Sequence, residues 1–228
     1  MKADLKNTYN IGPKSKAFRE KYFACYSVLP LRYRIQIFQR WLGAPYLQVE
    51  RFFPKKGKIF DLGCGLGNFS HVLALTSNQR KVMGIDFDRE RIKLAKKTVA
   101  KDENLDFIWA DIKKRQLEDC QGAVLFDVLH HIDFKFHQSL LTKIYDSLKP
   151  GGVLVMMESD DKPLWKYLVW RLWEVAAIGF SITRGESLSL RTKTELLAIL
   201  KNIGFRVKII PFDEKRLFSH LLYLCYKD

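Results

Sequence analysis

Ile59-Phe60-Asp61-Leu62-Gly63-Cys64-Gly65-Leu66-Gly67-Asn68 is the stretch on which the fold turns. An apolar run enters a turn with glycine at every second position, and the turn opens an amphipathic segment from Asn68 to Leu75. That is a strand, a tight loop and a helix N-terminus. Reading downstream, the same alternation continues. Strands are expected at 58–62, 82–86, 105–110, 123–128 and 153–158, with a helix from Asp88 to about Ala100. Another helix runs through Leu140, Leu141, Ile144 and Leu148, and Pro150-Gly151-Gly152 makes the turn into the fifth strand. Such spacing implies right-handed β-α-β units and a parallel sheet covered by helices on both faces. Thr192-x-x-Glu195 is a capping box for a helix ending near Gly204. Residues 205–210 and 217–226 then read as two strands with no helix between them, which can pair antiparallel. The expected class is α/β: a Rossmann-like, doubly wound, mostly parallel seven-stranded sheet with an antiparallel C-terminal hairpin strand. Residues 1–57 are expected to form a basic helical cap, 58–228 the core, and 162–191 a helical insertion or lid.

The chain's 228 residues, 47% hydrophobic and 28% charged, exclude disorder, collagen and coiled coil as descriptions of the whole. Four scattered cysteines (Cys25, Cys64, Cys120, Cys225) form no C-x-x-C pair, which argues against a zinc ribbon or a disulfide scaffold. The first residues carry charge without the apolar run of a signal peptide. The greasiest segment, Leu164–Phe180, is interrupted by Lys166, Arg171 and Glu174 and makes a poor membrane span. A cytoplasmic protein is expected, with a peripheral place at the inner membrane surface left open. Net charge is +14, and it is uneven: residues 1–58 hold 13 Lys/Arg against 3 Asp/Glu, 59–161 hold 14 against 16, and 162–228 hold 12 against 6. Basic flanks around a neutral middle can attract an anionic membrane, nucleic acid or an acidic substrate, or can simply be solvated lysines.

The glycine loop is an expected ligand cradle, since the backbone is bare there and a helix offers its free N–H groups. It is not the dinucleotide fingerprint G-x-G-x-x-G, because counting from Gly63 and Gly65 puts Asn68 in the third glycine's place. Gly12-Pro13-Lys14-Ser15 is no phosphate-binding loop either, lacking the upstream glycine and the strand. The spacing D-x-G-x-G-x-G, starting at Asp61, resembles the first motif of the class I S-adenosylmethionine-dependent methyltransferases, of the branch acting on small or lipid-like molecules. Asp86 lies where that family places an acid on the ribose hydroxyls. Asp111 lies where an acid or amide meets the adenine amino group. Phe126-Asp127-Val128-Leu129-His130-His131-Ile132 is similar to the family's segment after strand four, Leu148–Gly152 to its turn into strand five, and Gly204-Phe205 to the entry of its terminal strands. The resemblance covers about residues 58–161 and 190–228. It implies S-adenosylmethionine as cofactor, S-adenosylhomocysteine as its product, and cofactor contacts from Asp61, Gly63, Cys64, Gly65, Gly67, Asp86, Phe87, Asp111, Ile112 and Phe126. One departure is Gln121, where many relatives carry an aspartate. Cys64 reads as a small filler, with no base or second cysteine beside it.

Methyl transfer is an in-line displacement, so alignment of the acceptor comes first, and a base is needed only where the acceptor must lose a proton. The resemblance puts His131, Asp127 and His130 near the methyl group as candidate catalytic residues. A histidine pair at a strand end can equally well pack or cap. Glu158 and Asp160, closing strand five, are further candidates for facing the acceptor. No metal site is expected, since His137 follows His131 by six residues with no i, i+4 ligand pair. The Pro-Pro segment of base-amine methylation and the Pro-Cys of cytosine C5 chemistry are both missing after strand four. The Leu-His-His-Ile variant resembles relatives that modify quinones and other small molecules.

Two regions outside the core are expected to shape the pocket. One is the aromatic and basic arm holding Tyr22, Phe23, Tyr26, Tyr33, Phe38, Trp41 and Phe52. The other is the stripe Trp165, Leu168, Leu172, Ala176 and Phe180, with Trp170 set among charges. A small hydrophobic or lipid-like acceptor and peripheral contact with an anionic membrane are the expected partners. An RNA methyltransferase and a non-catalytic cofactor-binding module remain as alternatives, with oligomeric state open.

Overall fold

Along residues 57–62 Ile59 points to one side of the sheet and Phe60 and Leu62 to the other, and all three are buried. A strand buried on both faces requires helices on both. The computed structural model describes residues 15–99, 104–159, 165, 168, 169, 172, 190–211 and 220–228. Its strands are β1 (Gly57–Leu62), β2 (Arg80–Asp86), β3 (Leu105–Trp109), β4 (Cys120–Phe126), β5 (Leu148–Ser159), β6 (Arg206–Pro211) and β7 (His220–Tyr226). They form one sheet in the order β3-β2-β1-β4-β5-β7-β6. The first five pair in parallel, and β7 pairs antiparallel with both β5 and β6. The Rossmann-like, doubly wound sheet with an antiparallel C-terminal strand is therefore present as read from the sequence.

One face is covered by α1 (Ser15–Cys25), α2 (Leu31–Gly43), α3 (Tyr46–Glu50), α4 (Asn68–Thr76) and α5 (Arg89–Lys96), with Val153, Val155 and Leu222 of the sheet beneath them. The other face is covered by α6 (Phe134–Ser147) and α7 (Lys193–Ile203), over Leu154, Met156 and Tyr223. The chain order reverses between β1 and β4, and the crevice above the carboxyl ends of those strands is where ligands bind in such sheets.

The basic arm is core-packed on its inner side. Tyr22 and Tyr26 are buried, Tyr22 packs against Trp41 with ring centroids 4.4 Å apart, and Tyr26 Oη donates to the carbonyl of Gly67 at 3.0 Å. A buried ion pair fixes the arm to β2: Arg80 Nη1 sits 2.7 Å from Glu50 Oε1, and the same guanidinium donates to the carbonyls of Pro54, Phe53 and Leu73. Lys55 Nζ adds a second cation 2.6 Å from Glu50.

Five local readings change. The helix after β2 stops at Lys96 rather than near Ala100, with a turn through residues 97–99. Asp88 caps its start, accepting from the amides of Glu90 and Arg91. Leu148 is not the last apolar residue of α6 but the first of β5, paired with Cys120. Pro150-Gly151-Gly152 is a shift of register inside β5 rather than a turn ahead of it, and β4 starts at Cys120 to match. β4 ends at Phe126 instead of Val128, because Asp127 takes a left-handed backbone conformation at φ 53°. Gln121 has a structural role, its Oε1 accepting from the amide of Lys58 at 2.7 Å. The capping box of Thr192 and Glu195 is formed as read, and Gly204 closes α7 at φ 115°. Most of 162–191, with Ala176, Phe180 and Trp170, and also Asp160, lies outside the described residues; Trp165, Leu168 and Leu172 are helical and exposed.

Candidate active site above β1, β2 and β4

Gly63, Gly65 and Gly67 all have left-handed backbone angles, at φ 80°, 56° and 79°. Two of them are also forced by close packing. A Cβ on Gly63 would lie 2.4 Å from Val128, and one on Gly67 would lie 2.3 Å from the ring of Phe107. At Gly65 the space is open, with only Arg91 Nη1 at 3.6 Å. The loop therefore keeps a bare backbone facing the crevice, where a ligand can approach it closely. The amides of Gly63 and Cys64 are tied to the carbonyl of Ile85, so the loop is held by β2.

Three carboxylates stand around it. Asp86, at the end of β2, accepts from the amide of Gly65 through Oδ2 and from that of Asp88 through Oδ1, both at 2.8 Å. Each oxygen retains a further acceptor direction. Burial raises the pKa of Asp86, opposed by those two amide bonds. Asp61 is buried in β1 and accepts from the Ser70 hydroxyl; burial pushes its pKa up to about 6. Asp111 follows β3 and accepts from the amide of Lys113 at 2.9 Å.

At the far end, Asp127 lies 3.5 Å from His220 Nε2 of β7. Burial alone would raise its pKa, but the bond and charge of His220, with His130 and Arg40 beyond, hold it down at about 2. His131 is driven the other way: burial and the neighbouring His130 lower it to about 3. His131 is thus a neutral imidazole near pH 7, as a base would have to be, but a far weaker proton acceptor than an ordinary histidine.

One cavity collects Asp61, Gly63, Cys64, Gly65, Asp86 and Phe87 with Asp111, Ile112, Phe126, Asp127 and His131. Three expected residues, Gly67, His130 and Glu158, do not line it. Gly67 packs behind the loop against Phe107. His130 is buried with its Nδ1 2.7 Å from Glu158 Oε2, and Glu158 also accepts from the amide of Leu129 at 2.9 Å. That pair clamps the turn of residues 129–131 onto β5, so Glu158 braces the turn and is buried rather than lining the cavity. His137 is likewise engaged, through the carbonyl of Ile132 and the guanidinium of Arg191. Cys64 is buried, which pushes its thiol well above the usual range and leaves it inert.

The arm shapes the pocket as expected from the sequence, but through residues that the sequence reading did not name. Gln36 and Arg40 of α2 and Tyr46 of α3 close the cavity over Asp127 and Phe126, and Asn68, Phe69 and Arg91 complete it. Tyr46 stacks on Phe126 at 6.4 Å and Phe69 lies 4.7 Å from the same ring. No local motif marks Arg40; only the packing of the arm's aromatics onto α4 brings it there.

The donor set fits S-adenosylmethionine. Asp86 has acceptor capacity for two adjacent hydroxyls, Asp111 for an amino group, and Gly65 leaves a bare stretch of backbone between them. Acidic groups at both ends and three aromatic rings suit a cationic sulfonium. Residues 59–152 match the family described as "Methyltransferase domain". A carboxy-S-adenosyl-L-methionine synthase of Colwellia psychrerythraea is 35% identical over 120 residues, 49% of each chain, and its counterpart in Vibrio campbellii is 32% identical over 122 residues, 51% of this chain and 50% of that one. The alignments thus span about half the length of these curated relatives. The fold is that of human N-acetylserotonin methyltransferase in complex with S-adenosylmethionine (TM-score 0.63, 22% identity, 99% of this chain and 62% of that chain). It is also that of a methyltransferase from Methanosarcina mazei (TM-score 0.60, 19% identity, 81% and 97%). Over residues 59–152 the chain is thus similar to a methyltransferase domain, and it shares its fold with these solved methyltransferases.

Proposed function

We propose that this chain transfers the methyl group of S-adenosylmethionine to a small, apolar or lipid-like acceptor. The observation that carries the reading is the convergence of Asp61, Asp86, Asp111 and the bare Gly65 backbone on one cavity, which Tyr46, Val128 and Ile132 also line. Bound there, the cofactor supplies an electrophilic methyl carbon on a positively charged sulfur. Asp86 would hold the ribose hydroxyls, Asp111 the adenine amino group, and Asp61 the amino end. Phe126, Phe69 and Tyr46 offer ring faces to positive charge. The protein's main contribution is alignment of the two reactants. Asp127, ionised at neutral pH, and His131, neutral, stand where an acceptor's proton or polar head would be held. The weak basicity of His131 favours orienting an acceptor over deprotonating it. Methyl transfer tests the reading directly: the chain is incubated with methyl-labelled cofactor and fractionated cell extract. Label is expected in the lipid-soluble pool; label in RNA instead would assign the basic flanks to phosphate binding and overturn the acceptor class.

A second reading has its own support. The curated relatives over the matched half are named carboxy-S-adenosyl-L-methionine synthases, and Arg40 places a guanidinium in the cavity wall beside Asp127, suited to holding a carboxylate. Mass spectrometry of nucleosides released from the purified chain separates the two. A carboxylated cofactor would favour this second reading, and the unmodified donor or its demethylated product the first.

A further inference from the structure

α2 presents two different faces. Ile37 is buried in the core, and Gln36 and Arg40 line the cavity. On the remaining side stand Leu31, Ile35, Phe38 and Leu42, exposed to 67%, 49%, 50% and 68%. At 3.6 residues per turn these four directions fall within an arc of about 60°, a continuous apolar stripe rather than scattered surface residues. Arg34 borders it on one side and Arg32 on the other, both exposed. α2 contains no acid. Of the arm's acids in the described residues, Glu20 pairs with Lys16 and Glu50 is buried against Arg80.

We propose that α2 docks this chain on an anionic lipid bilayer, with Leu31, Ile35, Phe38 and Leu42 entering the headgroup boundary and the flanking arginines meeting the lipid phosphates. An apolar stripe with a basic border and low overall hydrophobicity is the signature of a helix lying in the interface plane. Each signal alone gives marginal binding, and the two together give stable but reversible attachment. The same features disfavour the other occupants. A second copy packed stripe to stripe would put the arginine borders into the interface with no acid on either helix to pair with them. A nucleic acid would use the arginines but has no use for Leu31, Ile35 and Leu42, since stacking needs aromatic faces. Trp165, Leu168 and Leu172, spaced i, i+3, i+7 and also exposed, supply a further apolar helical face. The docking stands independently of which acceptor is methylated, yet it places a wall of the cavity on a membrane-bound helix.

The test is flotation of the full chain with vesicles of phosphatidylcholine alone and of an equimolar mixture with phosphatidylglycerol. The chain is expected to float with the mixed vesicles and not with the neutral ones. Ile35→Glu/Leu42→Glu, at exposed positions outside the cavity, should cut binding by about tenfold or more while thermal unfolding and cofactor affinity stay as in the parent chain. Arg32→Gln and Arg34→Gln should each weaken binding roughly fivefold. Absence of flotation with mixed vesicles, or unchanged flotation of the double Glu variant, would overturn the proposal. So would a parent chain that remains off vesicles and dimerises through the stripe, or that binds RNA with an affinity indifferent to the Glu substitutions.

Discussion

Single carboxylates at the site are set apart by their surroundings, and that makes them separable by experiment. Asp86→Ala should weaken S-adenosylmethionine binding at least tenfold by calorimetry, because hydrogen bonds to a charged group are worth roughly 1.5–3 kcal/mol. Asp61 titrates near pH 6 in the folded chain and lower when unfolded, so the folded state takes up its proton first on acidification. Its contribution to stability therefore rises as pH falls through 6, while the hold on a cationic amino group proposed for it would be lost. Cofactor affinity is expected to drop below about pH 6 in the parent chain and to show no such step in Asp61→Asn. His131, at about 3, contributes no titration in that range. His131→Ala should lower turnover without altering cofactor affinity or the shape of the pH profile, and an unchanged rate would remove it from the site. The acids were legible in the sequence because Asp61 opens the glycine motif, and Asp86 and Asp111 stand at or just past the ends of the next two strands, where the resemblance places acids. The loss of His130 from the cavity was not, because its partner Glu158 lies 28 residues away on another strand.

At the scale of elements, the strands and helices of the core were readable from periodicity, and the errors lie where a single residue changes role. Leu148 continues the apolar face of α6 in sequence but is drawn into the sheet by its pairing with Cys120. Asp127 stops β4 two residues early by adopting φ 53°, a strained conformation for a residue with a side chain, as is common where a site over-determines the backbone. The attachment of α3 to β2 was invisible, since Glu50 and Arg80 look like two ordinary surface charges 30 positions apart. Buried together, they are expected to be costly to separate: Glu50→Ala should destabilise the chain by about 3–5 kcal/mol in urea unfolding, leaving Arg80 as an unpaired buried cation. Burial works to raise the pKa of Glu50, and the bonds from Lys55 and Arg80 outweigh it, so the folded carboxyl is more acidic than the unfolded one. This pair's stabilisation is present at neutral pH and fades on acidification through the folded pKa.

For the whole molecule, charge and topology answer different questions. The net charge of +14 was legible from the outset, but not which part of it reaches the cavity; folding of the arm over the sheet brings Arg40, alone among the arm's described cations, to the wall beside Asp127. Arg40→Ala is accordingly expected to raise the KM for the acceptor several-fold with little change in cofactor affinity, and an equal loss of both would place Arg40 on the cofactor instead. The sheet order carries a separate consequence. β7 lies between β5 and β6, so during synthesis the N-terminal strands can assemble while one edge of β5 still lacks its neighbour. Until residues 220–226 leave the ribosome, the nascent chain carries an open edge beside Val153–Ser159, a template for wrong pairing between growing chains. Pairing of β7 with β5, rather than assembly of the glycine loop, is then the moment at which this edge becomes safe from its neighbours.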